Sequence, residues 1–310
     1  MLRDFIKEVL LNYLIPSNHG YVSHSHDTIL ITGGSNGLGL EMVRLFLKKG
    51  FKVIIVDKKE PPPDLFTINN KLVFMKIDLS DINVLSSNIQ REFGLHDIKQ
   101  NDIKVIINNA GIASGKKFEE MDKTLINKTI LVNYESTIIL LLSLRQYMSQ
   151  EPSCLMMTIA SVLGLITPAN LTIYGSTKRA LIELHSFISS ANEIPNSHKY
   201  QNSKIDSILV LPGQINTEMF KGVETPSSLI APVLEKECLA KDLVEHILNY
   251  NSSLNSTIWR NNIFNKKQNV FYAPFYVGLV PTFTSIPWTF TRIARKFSGM
   301  DQAMNKYLKW

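Results

Sequence analysis

The 310-residue sequence predicts a three-layer α/β/α fold, a doubly wound parallel sheet of about seven strands. Three observations point to it. From residue 28 onward, short β-branched runs alternate with longer helical patterns, the order of successive β-α-β units. Those runs are apolar throughout, as strands are when helices cover both faces of their sheet. Composition supports one large core, with 45% hydrophobic and 19% charged residues, and neither a disordered nor a disulfide-built class fits. The two cysteines, Cys154 and Cys238, have no metal-type spacing and suit a reducing compartment; no metal site is expected.

The elements follow in order. TILIT (28–32) leads into a helix from Leu38 to Lys49, and FKVIIVD (51–57) is the second strand. A PPPD loop (61–64) precedes KLVFMKID (71–78) and a helix near 81–93. IKVIINN (103–109) is followed by a long helical region near 118–149, and SCLMMTIAS (153–161) by a helix near 172–194. KIDSILVLP (204–212) is the sixth strand, and NVFYAP, far downstream, reads as a seventh.

Strand one ends in TGGSNGLG, which places Gly33, Gly37 and Gly39 at the turn into a helix, with Ser35, Asn36 and Leu38 between them. Without Cβ atoms, this turn lets amides at a helix N-terminus approach a pyrophosphate whose charge the helix dipole favours, a Rossmann-type arrangement. An acid, Asp57, closes the second strand where it can accept hydrogen bonds from a ribose 2′-hydroxyl and repel a 2′-phosphate. NAD is therefore expected over NADP, although Lys58 or Lys59 could neutralise a 2′-phosphate. A P-loop is excluded because Leu40-Glu41 stands where Lys-Ser/Thr would be required.

Further along, NNAG (108–111), Ser161, YGSTK (174–178) and PGQINT (212–217) join TGGSNGLG in a pattern that resembles the short-chain dehydrogenases/reductases over about residues 28–220. Tyr174 and Lys178 lie four apart on one helix face, so an ammonium sits near a phenol and favours its ionised form, as a general acid/base requires. Tyr200 and Lys204 repeat the same spacing across a strand entry, where the two side chains need not meet. The resemblance implies that Ser161 hydrogen-bonds the substrate oxygen and that Asn133 holds a water linking Lys178 to solvent. It also implies cofactor contacts at Asp78 and Leu79 (adenine), at Asn109, Ala110 and Gly111, and at Pro212, Gly213, Ile215 and Thr217, the last two near the nicotinamide carboxamide. The activity implied is NAD(P)-dependent interconversion of an alcohol and its carbonyl, with Ser161 and Tyr174 facing the substrate. A serine hydrolase is disfavoured: Ser161 lacks the flanking glycines of a nucleophile elbow, and His96, His185 and His246 read as surface residues.

The net charge of +6 is not evenly spread. Residues 258–310 hold eight basic side chains and one acid, Asp301, so the remainder is nearly neutral. That tail is aromatic-rich and has an uncharged stretch over 268–291 broken by Pro274, Pro281 and Pro287, which argues against one spanning helix. Trp288, Phe290, Ile293, Phe297, Met300 and Met304 approximate an apolar stripe, as do Leu2, Phe5, Ile6, Val9 and Tyr13 at the other end. The expected organisation is an amphipathic extension (1–27), a catalytic Rossmann body (28–257), and a last strand with a basic aromatic extension (258–310). Both ends suit either peripheral or monotopic membrane contact or packing on the fold or a partner subunit. The tail is similar to those of the retinol dehydrogenase and 17β-hydroxysteroid dehydrogenase subgroup, fungal relatives included, which implies a small lipophilic substrate such as a retinoid, steroid or long-chain lipid. Met219, Phe220, Leu229 and Ile230 suggest a greasy pocket. The expected location is intracellular, at the cytosolic face of the endoplasmic reticulum or a lipid droplet, or in the cytoplasm. A homodimer through the two long helices is the family's habit, and nucleic-acid binding is disfavoured because the charges flank an apolar segment. The competing class is a low-turnover dinucleotide-binding scaffold at a membrane or lipid droplet, which has no physical need for all four of Asn133, Ser161, Tyr174 and Lys178.

Overall fold

The computed structural model describes residues 27–116, 118–149, 154–191, 205–220, 222–223, 232–248, 269–284, 292, 295–296 and 301. The N-terminal stripe, the Tyr200–Lys204 pair, Leu229, Ile230 and the tail stripe lie outside them.

The strands are β1 (Thr28–Thr32), β2 (Lys52–Asp57), β3 (Leu72–Lys76), β4 (Ile103–Asn108), β5 (Cys154–Ile159), β6 (Ile205–Pro212) and, after the short pair β7 (Ile215–Asn216) and β8 (Leu234–Glu235), β9 (Val270–Ala273). Among the described residues one parallel sheet has the order β3-β2-β1-β4-β5-β6-β9, with β7 and β8 pairing separately. This is a Rossmann-like doubly wound sheet. The order in which strands are added reverses between β1 and β4, so the carboxyl ends of these two parallel strands open the crevice where such sheets bind ligands.

The helices are α1 (Gly37–Lys48), α2 (Leu65–Ile68), α3 (Ile82–Leu95), α4 (Lys123–Ile130), α5 (Ser136–Leu144), α6 (Thr172–Ala191), α7 (Lys236–Leu248) and α8 (Val280–Thr284). α1 starts at Asn36, whose extended backbone and side-chain acceptor for the Gly37 amide make an N-cap, and buries Leu38, Met42, Val43, Phe46 and Leu47. These residues, with those of α7, cover one sheet face: Ile29, Ile31, Val53, Ile55, Val105 and Ile107 from the strands meet Leu239, Leu243 and Ile247. α3 and α5 cover the other, where Leu30, Ile54, Ile106 and Met75 meet Leu85, Ile89, Phe93, Leu140 and Leu144.

The long helical region expected near 118–149 is not one helix. Between α4 and α5, Leu131–Glu135 forms a π turn, and short 3-10 turns at Phe118–Glu120 and Arg145–Tyr147 flank the whole. A π turn inserts one extra residue into the spiral and re-aims the side chains it contains. Here it turns Asn133, which by itself reads as a surface helix residue, into the interior at 1% exposure. His185 is a second correction: it is buried, because it falls on the same inward stripe of α6 as Lys178 and Leu181, and its Nε2 lies 3.5 Å from Ser189 Oγ. The short helix α2 lies directly after the PPPD segment expected as a plain loop.

Candidate active site

A cleft of about 380 Å³ opens at the carboxyl ends of the strands. Its floor begins where β1 meets β4. The Asn109 side-chain amide donates to the carbonyls of Thr32 and Gly33 at 3.0 and 3.2 Å, and the Asn109 and Ala110 amides each donate to Thr32 Oγ1 at 3.1 Å. These bonds fix the glycine turn to the neighbouring strand end. Gly33 has φ +66°, and a Cβ there would stand 2.9 Å from the Ala110 Cα, so both backbone conformation and space require glycine. Gly39 does not line the cleft: a Cβ there would meet the Gly33 carbonyl at 2.2 Å, so its part is the close packing of α1 on the turn. Ser35 is also off the cleft surface, because its hydroxyl donates to the Lys59 carbonyl at 2.6 Å.

At the end of β2, Asp57 lines the cleft while its Oδ2 accepts from the Ser35 amide and its Oδ1 from the Lys59 amide, both at 3.1 Å. Each carboxylate oxygen retains a further acceptor site. Beside it, Asp78 and Leu79 also line the cleft. Burial opposes ionisation of Asp78, but hydrogen bonds from the Ser80 amide and hydroxyl, with Lys58 and Lys128 nearby, carry its pKa below the ordinary carboxylate range.

The reacting side chains converge from β5 and α6. Ser161 follows β5 and caps a 3-10 turn (Val162–Gly164): its Oγ accepts from the Leu163 amide at 3.1 Å, which leaves the hydroxyl proton to be donated elsewhere. Tyr174, in the first turn of α6, is 5% exposed and packs edge-on against Phe220 and beside Leu171 and Ala113. One helical turn on, Lys178 Nζ donates to the Ile159 carbonyl at 2.8 Å and lies 5.7 Å from the centre of the Tyr174 ring. Burial pushes the Lys178 pKa down to about 8.

Asn133 is not on the cleft surface but one layer behind it. Its Oδ1 accepts from the Ile112 amide at 2.7 Å, and its Nδ2 donates to the Ile112 carbonyl at 2.9 Å and to Thr177 Oγ1 at 3.1 Å. Thr177 in turn donates to the Tyr174 carbonyl at 2.7 Å. Asn133 therefore ties the segment after β4 to the helix that carries Tyr174 and Lys178. A Cβ on Gly111 would stand 3.5 Å from both Asn133 Oδ1 and Lys178 Nζ, so this glycine keeps the approach to the lysine open.

Pro212, Gly213, Ile215 and Thr217 line the opposite side, with Val162, Leu163, Pro168, Leu171, Met219, Phe220 and Val223 forming a mainly apolar mouth. Sequence reading missed Tyr276. It enters from beyond β9, its hydroxyl would lie 2.7 Å from a Cβ on Gly213, and burial raises its pKa, so it is a neutral phenol. The signal that could have pointed to it was the strand NVFYAP immediately before it, since a strand added at the β6 edge delivers the next residues to the carboxyl end of the sheet.

A doubly wound sheet with a glycine turn at its switch point, and a serine, tyrosine and buried lysine facing the same cleft, defines a dinucleotide-dependent oxidoreductase class. The short chain dehydrogenase family profile matches residues 27–227, and the chain belongs to that family of oxidoreductases. It is 33% identical over 306 residues to Uncharacterized oxidoreductase YDL114W of Saccharomyces cerevisiae, covering 97% of this chain and 90% of the relative. It is 24% identical over 252 residues to Epidermal retinol dehydrogenase 2 of Mus musculus, covering 78% of this chain and 77% of the relative. Among solved structures, a 3-ketoacyl-(acyl-carrier-protein) reductase from Brucella melitensis complexed with NADH superposes with TM-score 0.61 at 18% identity, covering 80% of this chain and 96% of that one. A 4-hydroxyisoleucine dehydrogenase complexed with NADH gives TM-score 0.60 at 22% identity, covering 71% and 90%.

Proposed function

We propose that the protein is an NAD-dependent dehydrogenase that interconverts a lipophilic alcohol and its carbonyl. The observation that carries this reading is the buried Lys178 held between the Ile159 carbonyl and the Tyr174 ring, with Ser161 on the same cleft. The residues fit the cofactor. Gly37 (φ +57°) leaves a gap between the α1 N-terminus and Thr217 that a Cβ would enter, facing Thr217 Cγ2 at 3.6 Å, and the α1 dipole favours a pyrophosphate there. Asp57 has acceptor sites left for ribose hydroxyls and carries a charge that a 2′-phosphate would meet. Gly33, Asn36, Leu38, Asp78, Leu79, Asn109, Ala110 and Gly111 would complete the adenosine and phosphate side, and Pro212, Gly213, Ile215 and Thr217 the nicotinamide side. NAD was also the cofactor of two solved relatives, each described as an NADH complex.

When bound, NAD supplies the hydride acceptor for oxidation and NADH the donor for reduction. In oxidation Tyr174 Oη takes the hydroxyl proton of the alcohol, and in reduction it returns a proton to the carbonyl oxygen. Ser161 orients that oxygen by donating its hydroxyl proton. Lys178, while protonated, favours the tyrosinate through its charge. Asn133 holds the Ile112 and Thr177 groups behind the lysine, where a water can relay protons outward. The apolar mouth favours a lipophilic substrate, and the mouse relative's name contains retinol.

A panel of retinoids, steroids and long-chain alcohols with NAD and NADP tests the reading by the absorbance of reduced nicotinamide. Turnover with a lipophilic alcohol, higher kcat/KM for NAD, and a loss of about a thousandfold in Tyr174→Phe are expected. Near-normal turnover by Tyr174→Phe overturns it.

Residues 28–257, completed by β9 and Tyr276, are then the catalytic body, and the N-terminal extension and the basic aromatic tail the membrane contacts of a peripheral or monotopic enzyme. The basic, aromatic tail supports that placement. Sedimentation with membranes that resists high salt is expected, and a protein wholly in the supernatant before any wash counts against it.

A further inference from the structure

We propose that Asp301 is a positioning residue for the substrate pocket, acting through the backbone of the loop between β5 and α6; the proposal rests on the dehydrogenase reading of the cleft. Asp301 Oδ1 accepts a hydrogen bond from the Ala169 amide at 2.9 Å, across 132 residues of sequence. Arg295 grips the same carboxylate from behind, Nη2 to Oδ1 at 2.6 Å and Nε to Oδ2 at 3.3 Å. A guanidinium fork fixes the plane of a carboxylate, so the acceptor presented to Ala169 has a set direction.

The amide it holds belongs to a wall of the cleft. Pro168 and Leu171, on either side of Ala169, line the mouth, and Leu171 packs with Tyr174 and Phe220. Asn170 sits in the left-handed region at φ +66°, which asparagine adopts readily at a turn. The other end of the loop is anchored separately, by Thr167 Oγ1 donating to the Leu163 carbonyl at 2.6 Å. Without Asp301 the 168–171 stretch loses its one described charge-assisted bond, while Ser161 and Lys178 keep theirs to the Leu163 amide and the Ile159 carbonyl. The reacting groups stay in place and the apolar wall beside them loosens.

Two features make Asp301 more than a surface ion pair. It is the single acid among residues 258–310, and it lies beyond the 27–227 segment that the family profile matches. The pocket wall is thus pinned by a part of the chain the shared catalytic body does not contain.

The test uses the full chain with Asp301→Ala, Asp301→Asn and Arg295→Met, a long-chain secondary alcohol, and NAD. Hydrogen exchange is read on a peptide spanning 165–171. In Asp301→Ala the Ala169 amide should exchange about tenfold faster and KM for the alcohol should rise about tenfold, with kcat and KM for NAD within about twofold of the parent. Asp301→Asn keeps an oxygen that can accept from Ala169 and should fall between the two; Arg295→Met should resemble it. Unchanged exchange at 165–171, or kcat and NAD affinity falling together with alcohol affinity, overturns the proposal. If no alcohol is turned over by the parent chain the dehydrogenase reading fails, while the exchange of the Ala169 amide still decides whether the carboxylate holds the loop.

Discussion

Lys178 shows how burial and chemistry oppose each other at a single residue. Its ordinary ammonium pKa of 10.5 falls to about 8 because the interior disfavours the charge. Between those two values the unfolded chain binds a proton that the folded chain has lost, so stability rises with pH across the window, and below about pH 8 the folded state carries the full cost. The shift corresponds to at most about 3 kcal/mol. Lys178→Met, which removes the charge, should therefore show its greatest gain in unfolding free energy over the parent at pH 7, shrinking by pH 10 in denaturant titrations. An unchanging difference over that range would rule out the buried charge. The spacing of Tyr174 and Lys178 was legible in the sequence because four residues on a helix always share a face. The depth of Asn133 was not, because its burial depends on a π turn and on Ile112, 21 residues away, with which it exchanges two hydrogen bonds. Gly39 and Ser35 were legible as members of the glycine turn, but their distance from the cleft comes from packing against Gly33 and Lys59.

At the scale of elements, α6 packs tightly against the loop that precedes it. A Cβ on Gly175 would stand 2.2 Å from Thr167 Oγ1 and 2.8 Å from its Cβ, and one on Gly164 would stand 2.9 Å from the Arg179 amide nitrogen. Gly175→Ala should cost about 1–3 kcal/mol in urea titrations through overpacking. Adding Thr167→Gly should restore part of that loss, and strictly additive costs would show that the two sites do not touch. The seven strands of the main sheet were readable from their apolar runs with ends within a residue or two, while the two-residue strands β7 and β8 have no such run to announce them. The break between α4 and α5 was not, because LVNYES satisfies a helical period and only the tertiary demand for Asn133 explains the extra residue. His185 was misread as a surface residue for the same reason: polarity alone does not report which face of a long helix meets the sheet.

For the whole molecule, the described surface exposes large apolar side chains on several helices, Leu95 on α3, Leu142 on α5 and Phe187 on α6 among them. Leu142 and Phe187 are each 69% exposed, and an 18-residue window within Lys123–Tyr147 has a mean hydropathy of 1.3, apolar enough by length and composition to cross a membrane, while the segment packs on the sheet through Leu140 and Leu144. The homodimer expected from the sequence through the two long helices would bury Leu142 and Phe187. The parent should elute at twice the chain mass in light scattering, and Leu142→Glu with Phe187→Glu should give a monomer; a parent that is monomeric at micromolar concentration overturns that reading. The charge count by segment singled out the C-terminal region, yet β9 from that region joins the main sheet. It did not foretell that Tyr276 lines the cleft or that Asp301 accepts from the Ala169 amide behind its wall, because nothing local in the sequence records which distant edge β9 will join.

The place of β9 also has a consequence for how the chain is made. Synthesis passes Pro212 at the end of β6 well before it reaches Val270, and at roughly 5–20 residues per second that interval lasts several seconds. Throughout it the backbone of Leu209–Pro212 presents an unpaired edge that β9 later covers, and the Gly213 amide lacks the Ala273 carbonyl it finally meets at 2.7 Å. A chain cut at residue 257 would retain Ser161, Tyr174, Lys178 and Asn133, yet would be frozen at that sticky nascent stage.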